Sequence, residues 1–233
     1  MTKVITNIRK ELNKHVDPVY KKGATNFFKE KVNPIGVRTP MTRRISKDYF
    51  PKEKSKQDVF KLCEELLEKR TFEETVIAFS WARRMRKDFQ EKDFKRFEAW
   101  LKKYVDNWAF CDDFCTHTLG EFITDFPEFV PNAKAWHTSK NRWLRRASAV
   151  SFIYPIRKEK KFLEDIFEIA DKLLLDEDDL VQKGYGWTLK VAADIYPKIV
   201  FDFVMKRKDT MPRTALRYAI EKMPTTWRKA AMR

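Results

Sequence analysis

The chain has 233 residues, 43% of them hydrophobic, and carries 49 Lys and Arg against 34 Asp and Glu, a formal charge of +15. That hydrophobic share over that length supports one large domain or two small ones with a real core, and excludes a disordered tail, a linker, a collagen and a mucin. The cationic excess directs attention to a polyanion as partner, with nucleic acid the first to test.

No apolar run reaches the roughly 18 to 20 residues of a membrane helix, and Met1-Thr2-Lys3-Val4-Ile5 lacks the apolar core of a signal peptide. The expected location is the cytoplasm, with no membrane partner. Cys63, Cys111 and Cys115 accompany only three His, which argues against a disulfide framework and a structural zinc site. Cys111-x3-Cys115 followed by His117 leaves metal binding as a lesser alternative to buried thiols on a helix face.

Residues 1–50 differ in character from the rest, with His15, Pro18, Pro34 and Pro40 and the turn Ile35-Gly36-Val37-Arg38-Thr39-Pro40. Gly36 permits a turn, Thr39 is placed to cap a helix, and Pro40 fits that helix's first turn. The helix so started carries Arg43 and Arg44. This segment reads as a helical cap, and 51–57 as a solvated, lysine-rich connector.

From 58 onward, apolar residues recur at three- and four-residue intervals, and the ten Pro and five Gly fall mostly between such stretches. The predicted helices are 58–69, 72–88, 93–105, 108–122, 130–136, 142–154, 161–173, 180–195, 197–206 and 212–222. No strand pattern competes. Taken in pairs they give a long helix starting every 35 to 40 residues, near Phe72, Asn107, Asn141 and Val181. That period predicts an all-α chain, an α-solenoid of HEAT-like antiparallel helix pairs. It forms one domain over 1–233, with the cap at 1–50 and the repeats at 58–233. Such an array curves, and its concave face is the first place to look for a binding surface.

Trp108 and Asp112 lie one turn apart near a helix start, with Asn107 placed as N-cap. An acid kept beside an indole in so basic a chain is a candidate reacting group. From spacing alone the favoured reading is a simple complement to the helix dipole, by Asp112 or by Asp113, with an arginine as its partner. Trp187 follows Gly184-Tyr185-Gly186, two glycines inside a helical pattern, which calls for close helix packing or close approach of a ligand. Lys190 shares its face. Arg145 and Arg146 point about 100° apart on one helix, so one faces the groove while the other leans to the rim. Trp108, Arg146 and Trp187 come from corresponding helices of successive repeats and are expected to converge. Trp81, Trp100, Trp136, Trp143 and Trp227 fit core packing.

Together, Gly36-Val37-Arg38-Thr39-Pro40, Asn107-Trp108-x3-Asp112 with Leu119-Gly120, Trp143-Leu144-Arg145-Arg146 and Gly186-Trp187-Thr188-Leu189-Lys190 resemble the AlkD family of DNA alkylation-repair glycosylases. The resemblance implies a C-shaped array with a basic concave face that binds duplex DNA. It also implies hydrolysis of the N-glycosidic bond of purines alkylated at N3 or N7. It places the catalytic carboxylate on Asp112, the lesion-side indoles on Trp108 and Trp187, and the backbone-gripping arginine on Arg146. Arg38 lies in the turn that the family sets near the duplex. Phe27 stands where the family often has Tyr, and Lys190 where Arg is expected; these two departures bear on lesion preference. With Arg43 these residues form the expected DNA-binding set. A cationic base leaves without a metal or nucleotide, so no cofactor is expected, and the expected unit is a monomer, nucleoid-associated when bound to DNA. The alternatives are a non-catalytic paralogue that recognises DNA shape or damage, and a protein-binding scaffold.

Overall fold

A computed structural model of the chain describes residues 2–233. Among the described residues every regular element is helical. The helices are α1 (Lys3–Lys14), α2 (Pro18–Phe27), α3 (Thr39–Asp48), α4 (Lys56–Leu67), α5 (Phe72–Arg84), α6 (Asp93–Tyr104) and α7 (Trp108–Asp113). A π-helical stretch, Phe114–Leu119, follows. Then come α8 (Gly120–Asp125), α9 (Val130–Ala135), α10 (Arg142–Val150), α11 (Ile153–Glu159), α12 (Leu163–Lys172), α13 (Asp179–Ala193), α14 (Pro197–Met205), α15 (Arg213–Ile220) and α16 (Thr225–Met232).

The starts follow from capping chemistry. Side-chain oxygens of Asp17, Asn107, Asn141 and Asp178 accept from the backbone N–H of Tyr20, Phe110, Trp143 and Leu180 at 2.9 to 3.0 Å. Proline occupies the first turn of α2, α3, α9 and α14, where a missing N–H costs nothing. The predicted long helices begin at Phe72, Trp108, Arg142 and Asp179, so the repeat spacing read from the sequence holds.

Side-chain bonds between elements carry the same period. Lys103 reaches Glu68, Arg70 the carbonyl of Lys103, Trp136 reaches Glu98, Arg145 reaches Asp176 and Thr188 the carbonyl of Ala149, all across 31 to 39 residues. Neighbouring helix pairs are therefore bonded to each other, as a stack of repeats requires.

The described residues fall into two compact units. The first runs through Asp93 and also takes Lys103–Asp113; the second takes Phe94–Lys102 and Phe114–Arg233. In the first, the expected cap is three helices that do not stand apart: α1 packs on α3 and α4, and α3 on α5, around Ile5, Ile8, Leu12, Phe60 and Trp81. In the second, α13 is central and packs on α10, α11, α12, α14 and α15.

Several expectations are corrected. Residues 108–122 are not one α-helix, because the widened turns of Phe114–Leu119 interrupt it. Residues 142–154 divide at Ser151 and Phe152 into α10 and α11. Thr39 does not cap: it is the first residue of α3, whose N-cap position is Arg38. Lys56 is not a solvated connector residue. It is 6% exposed, and its ammonium donates to Asp93 and to the carbonyl of Asp88, both at 2.6 Å. Trp227 is half-buried and stacks on Phe201, while the other four core indoles are buried as expected.

Candidate functional site

In the first unit the site is built around the start of α7. Asn107 is buried and caps the helix through Phe110 N–H at 3.0 Å. Trp108, Asp112 and Asp113 are all partly open to solvent. Four residues apart, Trp108 and Asp112 project from one face, and Asp113 is turned about 100° from Asp112. Phe110, Cys111, Phe114 and Cys115 point inward and are buried. Cys63, Cys111 and Cys115 are buried thiols outside any disulfide, and among the described residues no cluster of His, Cys, Asp and Glu has the makings of a metal site.

Aromatic rings surround Trp108. Phe28 stacks on it with centroids 5.3 Å apart, Phe27 meets it edge-on at 5.9 Å, and Phe28 continues to Phe72 at 5.7 Å. Phe27 is 69% exposed. These rings belong to α2, the loop after it, and the first turn of α5. They line a largely apolar cavity of about 400 Å³ with Tyr20, Thr39 and Glu73.

The loop behind the cavity is fixed by Glu73, a buried residue of the first turn of α5. Its carboxylate accepts the backbone N–H groups of Ile35, Gly36 and Val37, each at 2.8 Å. Gly36 has φ of +109°, and a Cβ there would sit 2.8 Å from Lys21 Cβ, so only glycine fits this turn. Arg38 pairs with Asp17 at 2.8 Å and lies over the Tyr20 ring at 5.3 Å. The Tyr20 N–H and then the Arg38 guanidinium hold the Asp17 carboxyl below its usual range. Arg43 is exposed on α3.

In the second unit the candidate residues lie on α10 and α13. Arg146 is 5% exposed, and its guanidinium donates to the carbonyl of Leu180. A Cβ on Gly184 would meet Arg146 Cγ at 3.1 Å, and one on Gly186 would meet the Ala215 carbonyl and Tyr218 Cβ at 2.8 Å. Both glycines therefore serve close helix packing. Trp187 stays partly open beside them. Arg145 is partly open and bonds Asp176 at 2.6 Å and the Ser139 carbonyl at 2.9 Å. Lys190 pairs with Glu221 at 2.9 Å and lies 5.5 Å from the centre of the Tyr218 ring. Burial raises the Tyr185 phenol well above its usual range, and its hydroxyl donates to the Leu174 carbonyl.

Of the residues expected from sequence, Trp108, Asp112, Phe27, Arg38 and Arg43 thus lie in the first unit, and Arg146, Trp187 and Lys190 in the second. Sequence reasoning missed Phe28, Tyr20 and Glu73. Phe28 carried a signal in the Phe27-Phe28 doublet, but Glu73 looked like any acid in a first turn.

A family model described as DNA alkylation repair enzyme matches residues 8–223. No curated protein matches the chain by sequence. Among solved structures, a predicted DNA alkylation repair enzyme from Enterococcus faecalis aligns with a TM-score of 0.79 at 18% identity, over 91% of this chain and 98% of that one. The Pseudomonas fluorescens alkylpurine DNA glycosylase AlkC, bound to DNA containing an abasic site analogue, aligns with a TM-score of 0.51 at 15% identity. That alignment spans 98% of this chain and 65% of the other. At such identities the likeness is one of fold.

Proposed function

The chain belongs to the DNA alkylation repair enzyme family, and from that premise we propose that it is an alkylpurine-DNA glycosylase of the AlkD type. Its substrate is duplex DNA carrying purines made cationic by alkylation at N3 or N7. The observation that carries the reading is the start of α7, where an Asn107 cap presents Trp108 and Asp112 together on a partly open face.

Alkylation places a positive charge on the purine, so the base departs with its bonding electrons and needs little or no protonation. Positive charge then grows on the deoxyribose. An anionic carboxylate beside C1′ stabilises that oxocarbenium character and orients the attacking water, the logic shared by glycoside hydrolases. The Trp108 and Trp187 indoles add cation–π stabilisation through their faces. Arg146 is assigned a backbone phosphate. Arg38, Arg43 and Lys190 supply further phosphate contacts, and the enzyme acts as a monomer where chromosomal DNA lies.

Measuring release of 7-methylguanine and 3-methyladenine from alkylated duplex DNA tests this. Asp112→Asn should lose about 100-fold or more of the rate, the scale of one lost electrostatic stabiliser, while still binding the duplex. Equal release from both proteins removes Asp112 from the chemistry. Salt-sensitive binding without any release from wild type returns the chain to the non-catalytic reading.

A further inference from the structure

The last two helices of the second unit enclose a cleft that the chemistry proposed for Asp112 does not use. It lies between α15 and α16, has a volume of about 450 Å³, and is lined by Arg217, Ile220, Thr225, Arg228, Lys229 and Met232 together with Glu221. Along α16, Thr225, Arg228, Lys229 and Met232 recur at the three- and four-residue spacing of one helix face. The other face is taken up by the fold: Trp227 stacks on Phe201 at 4.5 Å, and Ala231 is buried. Arg213 of α15 donates to the Met232 carbonyl at 3.5 Å, across the two helices.

An apolar floor and a cationic rim meet in this cleft. Ile220 is buried and Met232 half-buried, and the lining is mostly apolar, since arginine and lysine stems add their own carbon to such a surface. Arg217, Arg228 and Lys229 are exposed, and among the described residues none of the three joins an ion pair. Glu221, the one acid of the lining, is already paired with Lys190 at 2.9 Å. Three cations without a carboxylate, around a floor of carbon, complement a ligand that brings acids and apolar side chains together. A duplex backbone would satisfy the rim, but it offers phosphate and sugar where the floor calls for apolar groups. A second copy of this chain, at +15, is repelled.

We propose that the cleft between α15 and α16 docks an acidic segment of another protein, with apolar side chains seated on Ile220 and Met232 and carboxylates on Arg217, Arg228 and Lys229. The docking site is independent of the glycosylase reading, and no bond is made or broken in it. The eight residues of α16 extend over about 12 Å, so a helical segment of three or four turns runs past both ends.

The test uses the full chain and a displayed library of random peptides about twelve residues long. Selection at physiological salt should enrich sequences that combine several Asp or Glu with Leu, Ile, Met or Phe. Calorimetry with the most enriched peptide should find about tenfold weaker binding to the chain carrying Arg228→Glu and Lys229→Glu. Both residues are exposed, and thermal unfolding checks that this variant folds. Replacing the apolar residues of the peptide by Ser should weaken it by a similar factor. Enrichment of no sequence, or of sequences without acids, overturns the proposal. So does a peptide that the folded variant binds as wild type does, or one whose affinity survives loss of its apolar residues. Displacement of the peptide by undamaged duplex, together with about tenfold weaker duplex binding by the variant, would assign the cleft to nucleic acid instead. A dimer seen in sedimentation and lost in the variant would assign it to a second copy. Either of these results also overturns the proposal.

Discussion

Trp108 and Trp187 are both partly exposed indoles, yet what fixes them differs. Trp108 leans on Phe27 and Phe28, and one of those rings is itself mostly in solvent. The loop behind them is held by carboxylates, Glu73 on three backbone N–H groups and Asp17 on Arg38. Trp187 rises from a helix whose neighbours touch its backbone at Gly184 and Gly186. The surroundings of Trp108 are thus anchored at points by charge, and the backbone under Trp187 by the absence of side chains. Polar anchors fail when a partner is removed or protonated, whereas glycine contacts fail when an atom is added.

The largest break in that contrast should come from Lys56, whose side chain and that of Asp93 are each 5% exposed. Lys56→Met leaves the Asp93 carboxylate buried without its cation and should cost about 3–5 kcal/mol in urea unfolding. Lys56→Met with Asp93→Leu should recover part of it; an equal loss in single and double variants would mean that the pair is not the stabilising unit. Next comes Gly186→Ala, which forces α13 from α15 and should cost about 1–3 kcal/mol. Amide exchange should place the damage in the second unit, and an unchanged melting temperature would refute the close approach.

Acid probes the charge anchors. The Asp17 carboxyl is held below its ordinary value, first by the Tyr20 N–H and then by Arg38. Its contribution is therefore complete above the ordinary Asp value of about 3.9 and is lost as pH falls through the lower folded value. Amide exchange in α2 should rise in that acid window, and Asp17→Asn, which keeps the cap but not the ion pair, should show faster exchange already at neutral pH. The smallest effect is a gain: Gly23→Ala meets nothing within 4 Å in the middle of α2 and should stabilise by about 0.5–1 kcal/mol. A loss instead would mean that α2 needs a glycine for its cavity wall.

The repeat period was legible because Phe72, Trp108, Arg142 and Asp179 begin helices under local rules, a cap or a first-turn acid preceding an apolar periodicity. Gly184 and Gly186 were legible as close contacts, though not with what they touch. Lys56 and Glu73 were not legible: each sits where lysine or glutamate is ordinarily solvated, and partners distant in sequence bury them. Spacing left Arg145 and Arg146 as alternatives and only the resemblance chose Arg146; its burial was not legible, since periodicity gives a face and not a depth. The interruption after Asp113 was hidden for a related reason, because Phe114, Cys115, Thr118 and Leu119, all buried here, also fit the three- and four-residue spacing of an ordinary helix.

That π-helical stretch bears on how the chain tolerates change in length. Removing one residue from a normal helix rotates everything after it by about 100°. Removing one residue from within Phe114–Leu119 would instead let the wide turn relax to ordinary pitch. Gly120 would keep its place against Tyr154 and Ser151, where no larger residue fits. Natural relatives one residue shorter between the aspartates and this glycine would therefore have the same faces turned inward, and alignments of such chains should place their gap here.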